Sequence, residues 1–308
     1  MEPPKLLRNP HLQTVLPSLL AVRAQFPLEL IHFDIDPIQQ FMLACRPAAK
    51  ARQTGVLLII PGIEGSHQSP VAKLLLASTV FRNHTIYTLS HRGINTPSKQ
   101  VIPYHAALTD DLKETIHFLN KRHSKEPIHA VGFSMGANLL LTYLSKHPGT
   151  IDQATAISTP FDIGHSVEFT PNLYQKQILK NIRHRANRGI TTIGQVDWSN
   201  INSIRDFDTW VTAPYFGFSS VEDYYEKSSS IHIINKITCP TWLINAADDP
   251  FVAPHCWPKA DSLPKHIRLI GTENGGHMGF LYFDKGFRSW ITEIIAEQNQ
   301  WFARQHPL

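Results

Sequence analysis

The chain is predicted to be an α/β protein: a mostly parallel central sheet flanked by helices, with a cap inserted late in the sequence. Three observations carry this. Apolar runs of strand length at 54–60, 84–90, 128–133 and 153–158 alternate with helix-spaced segments at 69–79, 108–123 and 137–145. The alternation stops from about 163 to 235 and resumes with strands at 240–245 and 266–270 and a final helix at 287–302. Midway, one strand runs into a helix through a Gly-x-Ser-x-Gly turn.

Residues 1–27 are punctuated by proline and amphipathic, as an arm lying across a core would be. Strand-like runs at 29–35 and 40–45 follow, with Pro37 in the turn between them. Segment 54–60 is continuously apolar, as a strand buried on both faces requires, and breaks at Pro61-Gly-Ile-Glu-Gly65. In 108–123, Leu112, Ile116 and Leu119 share one helix face, and Asp110 and Asp111 sit near the positive end of its dipole. Region 163–235 is polar, aromatic and irregular. Its basic run from Lys176 to Arg188 reads as a solvated helix face, with peripheral contact to an anionic lipid surface as the second reading. The expected organisation is one domain over 1–308, with the arm at about 1–27 and the cap at about 163–235.

Bulk properties narrow the class. The chain has 308 residues, 42% hydrophobic and 18% charged, as expected of a globular protein with a sizeable core. A net charge of +4 without a long basic block argues against nucleic acid as a partner. Cys45, Cys239 and Cys256 are odd in number and lack metal-like spacing, so they read as packing thiols in a reducing, cytoplasmic setting. No apolar run approaches the ~18 residues of a membrane span, and no signal-peptide pattern opens the chain. Seventeen histidines form no His-Glu-x-x-His or Cys/His cluster, so neither metal nor other cofactor is expected.

The chemistry is read from residues 127–141. Gly132-Phe-Ser134-Met-Gly136 follows the strand and opens a helix. Such a tight bend projects the Ser134 hydroxyl and aims free helix N–H groups at whatever is attached to it. A serine needs a base, and the base an orienting acid; in this fold class the chain order is Ser, then Asp or Glu, then His. Asp248 and Asp249 lie just beyond the strand at 240–245, and His277 in a glycine-rich loop after the last strand. Asp249 is preferred, from the spacing small-x-x-Asp-x-x-Val at Ala246, Asp249 and Val252; Asp248 is the fallback. The oxyanion donors are expected to be the backbone N–H groups of Met135 and Ile63. Phe161, Phe169, Trp210, Tyr215, Phe216 and Phe218 of the cap are candidates for an apolar acyl pocket.

With these residues in place, the chain resembles the α/β-hydrolase superfamily, and within it the YheT-like esterase branch. The resemblance rests on Asn9-Pro-His-Leu-Gln-Thr14, Gly62-Ile-Glu-Gly-Ser66, Arg92-Gly93, Tyr104-His105, Gly132-Phe-Ser-Met-Gly-Ala-Asn138, Asp248-Asp-Pro-Phe251 and Gly275-Gly-His277, in that order. It implies an α/β-hydrolase fold, a Ser134–Asp249–His277 relay and hydrolysis of carboxylic esters, acylglycerols among them. The chain departs from the family in two places. Pro61 stands where the family has a histidine before the oxyanion glycine, and Ile94-Asn95-Thr96 replaces its Cys-Ser-Gly.

The expected function is therefore a serine carboxylesterase acting on short- to medium-chain acyl esters of small molecules. Two other readings stay open: a non-catalytic ligand- or partner-binding protein on the same fold, and a thioesterase. The His105…Asp110 spacing, found in acyltransferases, is read as a helix start.

Overall fold

The computed structural model describes residues 5–19, 27–36, 39–49, 54–95, 104–186, 196–284 and 286–305. The turn expected at Pro37, Thr96 of the second departure and the end of the basic run at Arg188 lie outside the described residues.

Helix α1 (Pro10–Leu19) is followed by strands β1 (Glu29–Asp36), β2 (Gln39–Arg46) and β3 (Gly55–Ile60), helix α2 (Pro70–Ala77), β4 (His84–Ser90), α3 (Asp110–Arg122), β5 (Ile128–Phe133), α4 (Met135–Lys146) and β6 (Gln153–Ile157). An inserted helical segment holds α5 (Ile163–Phe169), α6 (Asn172–Ala186), α7 (Ile204–Phe207), α8 (Ala213–Tyr215) and α9 (Val221–Ser228). Between α7 and α8 a wider π-helical turn runs over Asp208–Thr212. The chain then forms β7 (Thr241–Ala246), β8 (Ile267–Thr272), a ribbon of β9 (Leu281–Phe283) and β10 (Phe287–Ser289), and α10 (Trp290–Gln305).

Eight strands make one sheet in the order β1-β2-β4-β3-β5-β6-β7-β8. The β1–β2 and β2–β4 pairs are antiparallel and every pair from β4 to β8 is parallel. The pleat explains the apolar runs. Val56, Leu58 and Ile60 face a core completed by Leu112, Ile116 and Leu119 of α3 and Leu140, Leu141 and Leu144 of α4. Leu57 and Ile59 face a second core with Val71 and Leu75 of α2 and Ile291, Ile294 and Ile295 of α10. With helices on both faces, a central strand has no solvent side for polar residues. After β3 the chain leaves toward β4 on one side and returns to β5 on the other. That reversal opens a crevice at the carboxyl ends of β3 and β5, where open α/β sheets place their sites.

The final helix begins at Trp290, three residues later than expected. Residues 287–289 instead pair with 281–283, and Trp290 N donates to Phe280 O at 2.9 Å. That pairing ties the segment to the loop carrying His277, which a helical spacing read along 287–302 does not register.

Candidate active site

Ser134 sits between β5 and α4 with no linking residue, at φ 52° and ψ −125°. A side chain in this left-handed region costs about 1–2 kcal/mol, met by bonds on both sides. Ser134 N donates to Ile157 O at 2.9 Å, and Ser134 O accepts from Ala137 N at 2.9 Å. The flanking glycines permit close approach. A Cβ on Gly132 would lie 2.6 Å from Ala137 Cα, and one on Gly136 2.2 Å from Pro61 O.

The strand ends bring His277 and Asp249 to this serine. His277 Nε2 is 2.8 Å from Ser134 Oγ, and Nδ1 is 2.9 and 3.1 Å from the two carboxylate oxygens of Asp249. Both are buried, Asp249 at 2% and His277 at 4% exposure. A carboxylate only accepts, so Nδ1 carries the proton and Nε2 offers its lone pair to the Ser134 hydroxyl. Phe251 N donates to Asp249 Oδ1 at 2.8 Å, and the Phe251 ring stacks on the imidazole with centroids 4.2 Å apart. Asp248 does not reach the ring. Its Oδ1 accepts from Gly276 N at 2.8 Å, and burial raises its carboxyl above the ordinary range.

The loop after β3 lies against the serine: a Cβ on Gly62 would be 3.1 Å from Ser134 Cβ. His91 Nε2 donates to Pro61 O at 2.9 Å, Gly65 N to Gly62 O at 3.0 Å and Glu64 N to Tyr104 Oη at 2.6 Å. Met135 is the first residue of α4, so its N–H is among those without an intrahelical acceptor. Met135 and Ile63 both line the cavity beside Ser134.

That cavity, about 110 Å³, runs from Ser134 and His277 into the inserted helices and is walled by Ile163, Val167, Ile178, Ile182, Ile204 and Phe207. At its rim the buried Arg185 of α6 makes a two-point pair with Glu64, Nη2 to Oε1 at 2.8 Å and Nε to Oε2 at 3.0 Å. The six aromatics expected to form an acyl pocket are not its walls. Phe161 is in the main core, Phe216 and Phe218 pack on His105, and Phe169, Trp210 and Tyr215 face solvent. Apart from Phe207, the side chains that α5, α6 and α7 turn toward it are mostly aliphatic. His105 also lines the cavity, and burial lowers its pKa to about 4, so it is neutral. A wider cleft of about 810 Å³ lies at the amino ends of β3 and β5, bordered by Gly55, Pro127 and Gln153, remote from these groups.

Asp208, also against the cavity, gives a pH-dependent expectation. Burial pushes its carboxyl up to about 7, although Tyr225 Oη donates to it at 3.0 Å. From pH of about 4 to about 7 the folded protein then binds a proton that the unfolded chain releases, so this group makes stability fall as pH rises. Asp208→Asn should flatten that decline in Tm measured across the window. Parallel curves for variant and parent would show that Asp208 does not titrate there.

His165 of α5 and His255 bring their Nε2 atoms to 2.7 Å, with Cys256 Sγ beside them. That separation is a hydrogen bond between one ring N–H and the other ring's lone pair. Two nitrogens on a tetrahedral zinc would stand about 3.3 Å apart. As placed, the group is a hydrogen-bonded pair. Among the described residues no helix is long and apolar enough to cross a membrane.

Two contributors to the site carried no chemical signal in the sequence. Ser158 Oγ accepts from Met278 N at 3.1 Å, and Phe251 provides the stacking face. Two others, Gln13 and Thr14, belong to the Asn9–Thr14 motif, whose role only the tertiary contacts disclose.

A doubly covered, mostly parallel sheet with a serine on a strained strand-to-helix bend defines a hydrolase-fold protein. The sequence model for the alpha/beta hydrolase fold matches residues 55–284, and the chain belongs to that family. Within it the chain is YheT-like: it is 30% identical to "Putative esterase YheT" of Escherichia coli (strain K12), over 94% of this chain and 92% of that protein. It is 27% identical to "Monoacylglycerol lipase" of Saccharomyces cerevisiae, over 78% of this chain and 58% of that longer protein. Among solved structures, an esterase of Pyrococcus furiosus superposes with a TM-score of 0.55 at 14% identity, covering 99% of each chain.

Proposed function

We propose that this protein is a serine carboxylesterase acting on short- to medium-chain acyl esters, acylglycerols among them. The observation that carries the reading is the buried row Asp249–His277–Ser134, with steps of 2.9 and 2.8 Å, opening on an apolar cavity. The two relatives named for ester chemistry, an esterase and a lipase, support it.

In this reading Ser134 Oγ attacks the ester carbonyl while His277 Nε2 takes its proton, and Asp249 stabilises the imidazolium. Charge collects on the carbonyl oxygen, facing the N–H groups of Met135 and Ile63; such a donor is worth about 3 kcal/mol in the transition state. The alkoxide leaves with the proton from His277. The same nitrogen then takes a proton from water as it attacks the acyl-serine, and returns it to Ser134 Oγ as the acid leaves. Peripheral lipid contact belongs to this reading. Leu12, Val15 and Leu19 leave an apolar stripe of α1 in solvent, and Lys176, Lys180 and Arg183 give α6 positive charge.

The test is a series of p-nitrophenyl esters of increasing acyl length, read beside fluorophosphonate labelling. kcat/KM should rise about three- to fivefold per methylene, as ~0.8 kcal/mol of burial gives, until the cavity is filled. Ile182→Trp, which enlarges a side chain of the cavity wall, should move the optimum to shorter chains. An optimum that stays in place would remove the cavity as the acyl site. Absence of both turnover and labelling would end the esterase reading.

A further inference from the structure

The contacts between α1 and the His277 loop have no counterpart in the relay itself. Three successive backbone amides of that loop each donate to a side chain from a different part of the chain: Gly276 N to Asp248 Oδ1 at 2.8 Å, His277 N to Thr14 Oγ1 at 2.9 Å, and Met278 N to Ser158 Oγ at 3.1 Å. The Thr14 hydroxyl spends its proton on Pro10 O at 2.7 Å, so its oxygen faces His277 N as an acceptor. Beside it, the fully buried Gln13 brackets Leu281. Its Oε1 accepts from Leu281 N at 2.7 Å, and its Nε2 donates to Leu281 O at 2.9 Å and Leu7 O at 2.8 Å. The fit leaves no slack: a Cβ on Gly276 would lie 2.5 Å from Pro10 O, and one on Gly279 2.0 Å from Gln13 O.

The loop requires such bracing. Gly276, Met278 and Phe280 have φ of 54°, 68° and 45°, and two of these are side-chain-bearing residues in the left-handed region. No sheet ladder runs through 276–278, so side-chain acceptors set where the imidazole points. We infer that α1 seats the catalytic histidine, with Thr14 and Gln13 as positioning residues that hold the His277 loop in register with Ser134. The inference rests on His277 being the base proposed above. It gives Asn9-Pro-His-Leu-Gln-Thr14 a role. Asn9 Oδ1 accepts from the amides of His11 and Leu12 and starts the helix, Pro10 supplies the carbonyl that orients Thr14, and Gln13 and Thr14 make the contacts.

Thr14→Val keeps the shape and removes the acceptor. It should lower kcat about 10- to 100-fold, the scale of a misplacement near 1 Å, with KM changed less than about twofold. Thr14→Ser, which restores the oxygen, should recover kcat to within about threefold of the parent. A readout independent of substrate is the low-field proton resonance between His277 Nδ1 and Asp249, which should be sharp in the parent and in Thr14→Ser and broadened in Thr14→Val. If Thr14→Val fails to fold, Thr14→Ala takes its place. Parental kcat and a sharp resonance in the valine variant would overturn the inference, as would equal losses in the valine and serine variants. A parent that neither turns over esters nor labels with fluorophosphonate refutes the esterase reading alone, because the resonance still reports how His277 is seated.

Discussion

Ser134→Ala should reduce ester turnover by a factor on the order of 10⁵–10⁶ while leaving the fold in place. The size follows from the geometry. In the proposed mechanism the imidazole works through the attacking oxygen, so with Oγ removed only the residual help that the N–H donors and the cavity give to direct water attack remains. Tm should move by about 3 °C or less, because alanine keeps the Cβ, and the backbone bonds to Ile157 and Ala137 that hold the bend do not involve the hydroxyl. Turnover of p-nitrophenyl esters and fluorophosphonate labelling, both on the folded variant, are the measurements. Labelling that persists at the parental rate would place the nucleophile on another residue.

Two adjacent carboxylates give the second large effect, and their difference is the informative part. Asp249→Asn should cost about 10⁴-fold in kcat, since an amide facing Nδ1 favours the tautomer with its proton on Nε2, directed at the serine. Asp248→Asn should cost less than about tenfold, because the asparagine Oδ1 still accepts from Gly276 N–H. A comparison of the two variants at saturating substrate checks the assignment. The opposite order of effects would make Asp248 the orienting acid.

Much of the architecture was legible because it is written in local pattern. Strand β3 is six consecutive buried residues, and the β5–Ser134–α4 turn is contiguous, so strand, bend and helix are read from one stretch. The contact of Asp249 with His277 was legible for a similar reason. A one-residue shift along the loop after β7 reverses which aspartate faces the site, and the Ala246–Val252 spacing fixes that register. What the sequence does not display is surface assembled from distant segments. The cavity walls come from α5, α6 and α7, whose aliphatic positions look like ordinary core, whereas the aromatics that stand out in sequence went to solvent, to the main core or against His105. Likewise Phe287–Ser289 becomes a strand only because 281–283 is beside it.

The bonds from Thr14 to His277 and from Gln13 to Leu281 join positions 263 and 268 apart in the chain. Contacts that long form late, because the whole intervening polypeptide must collapse before the two ends of the loop can meet. During synthesis, α1 leaves the ribosome long before its partner exists, and the Ser134 bend is completed with no imidazole beside it. If Ser134 is the nucleophile as proposed, a half-made chain carries an inert hydroxyl until the loop after β8 is translated and docks.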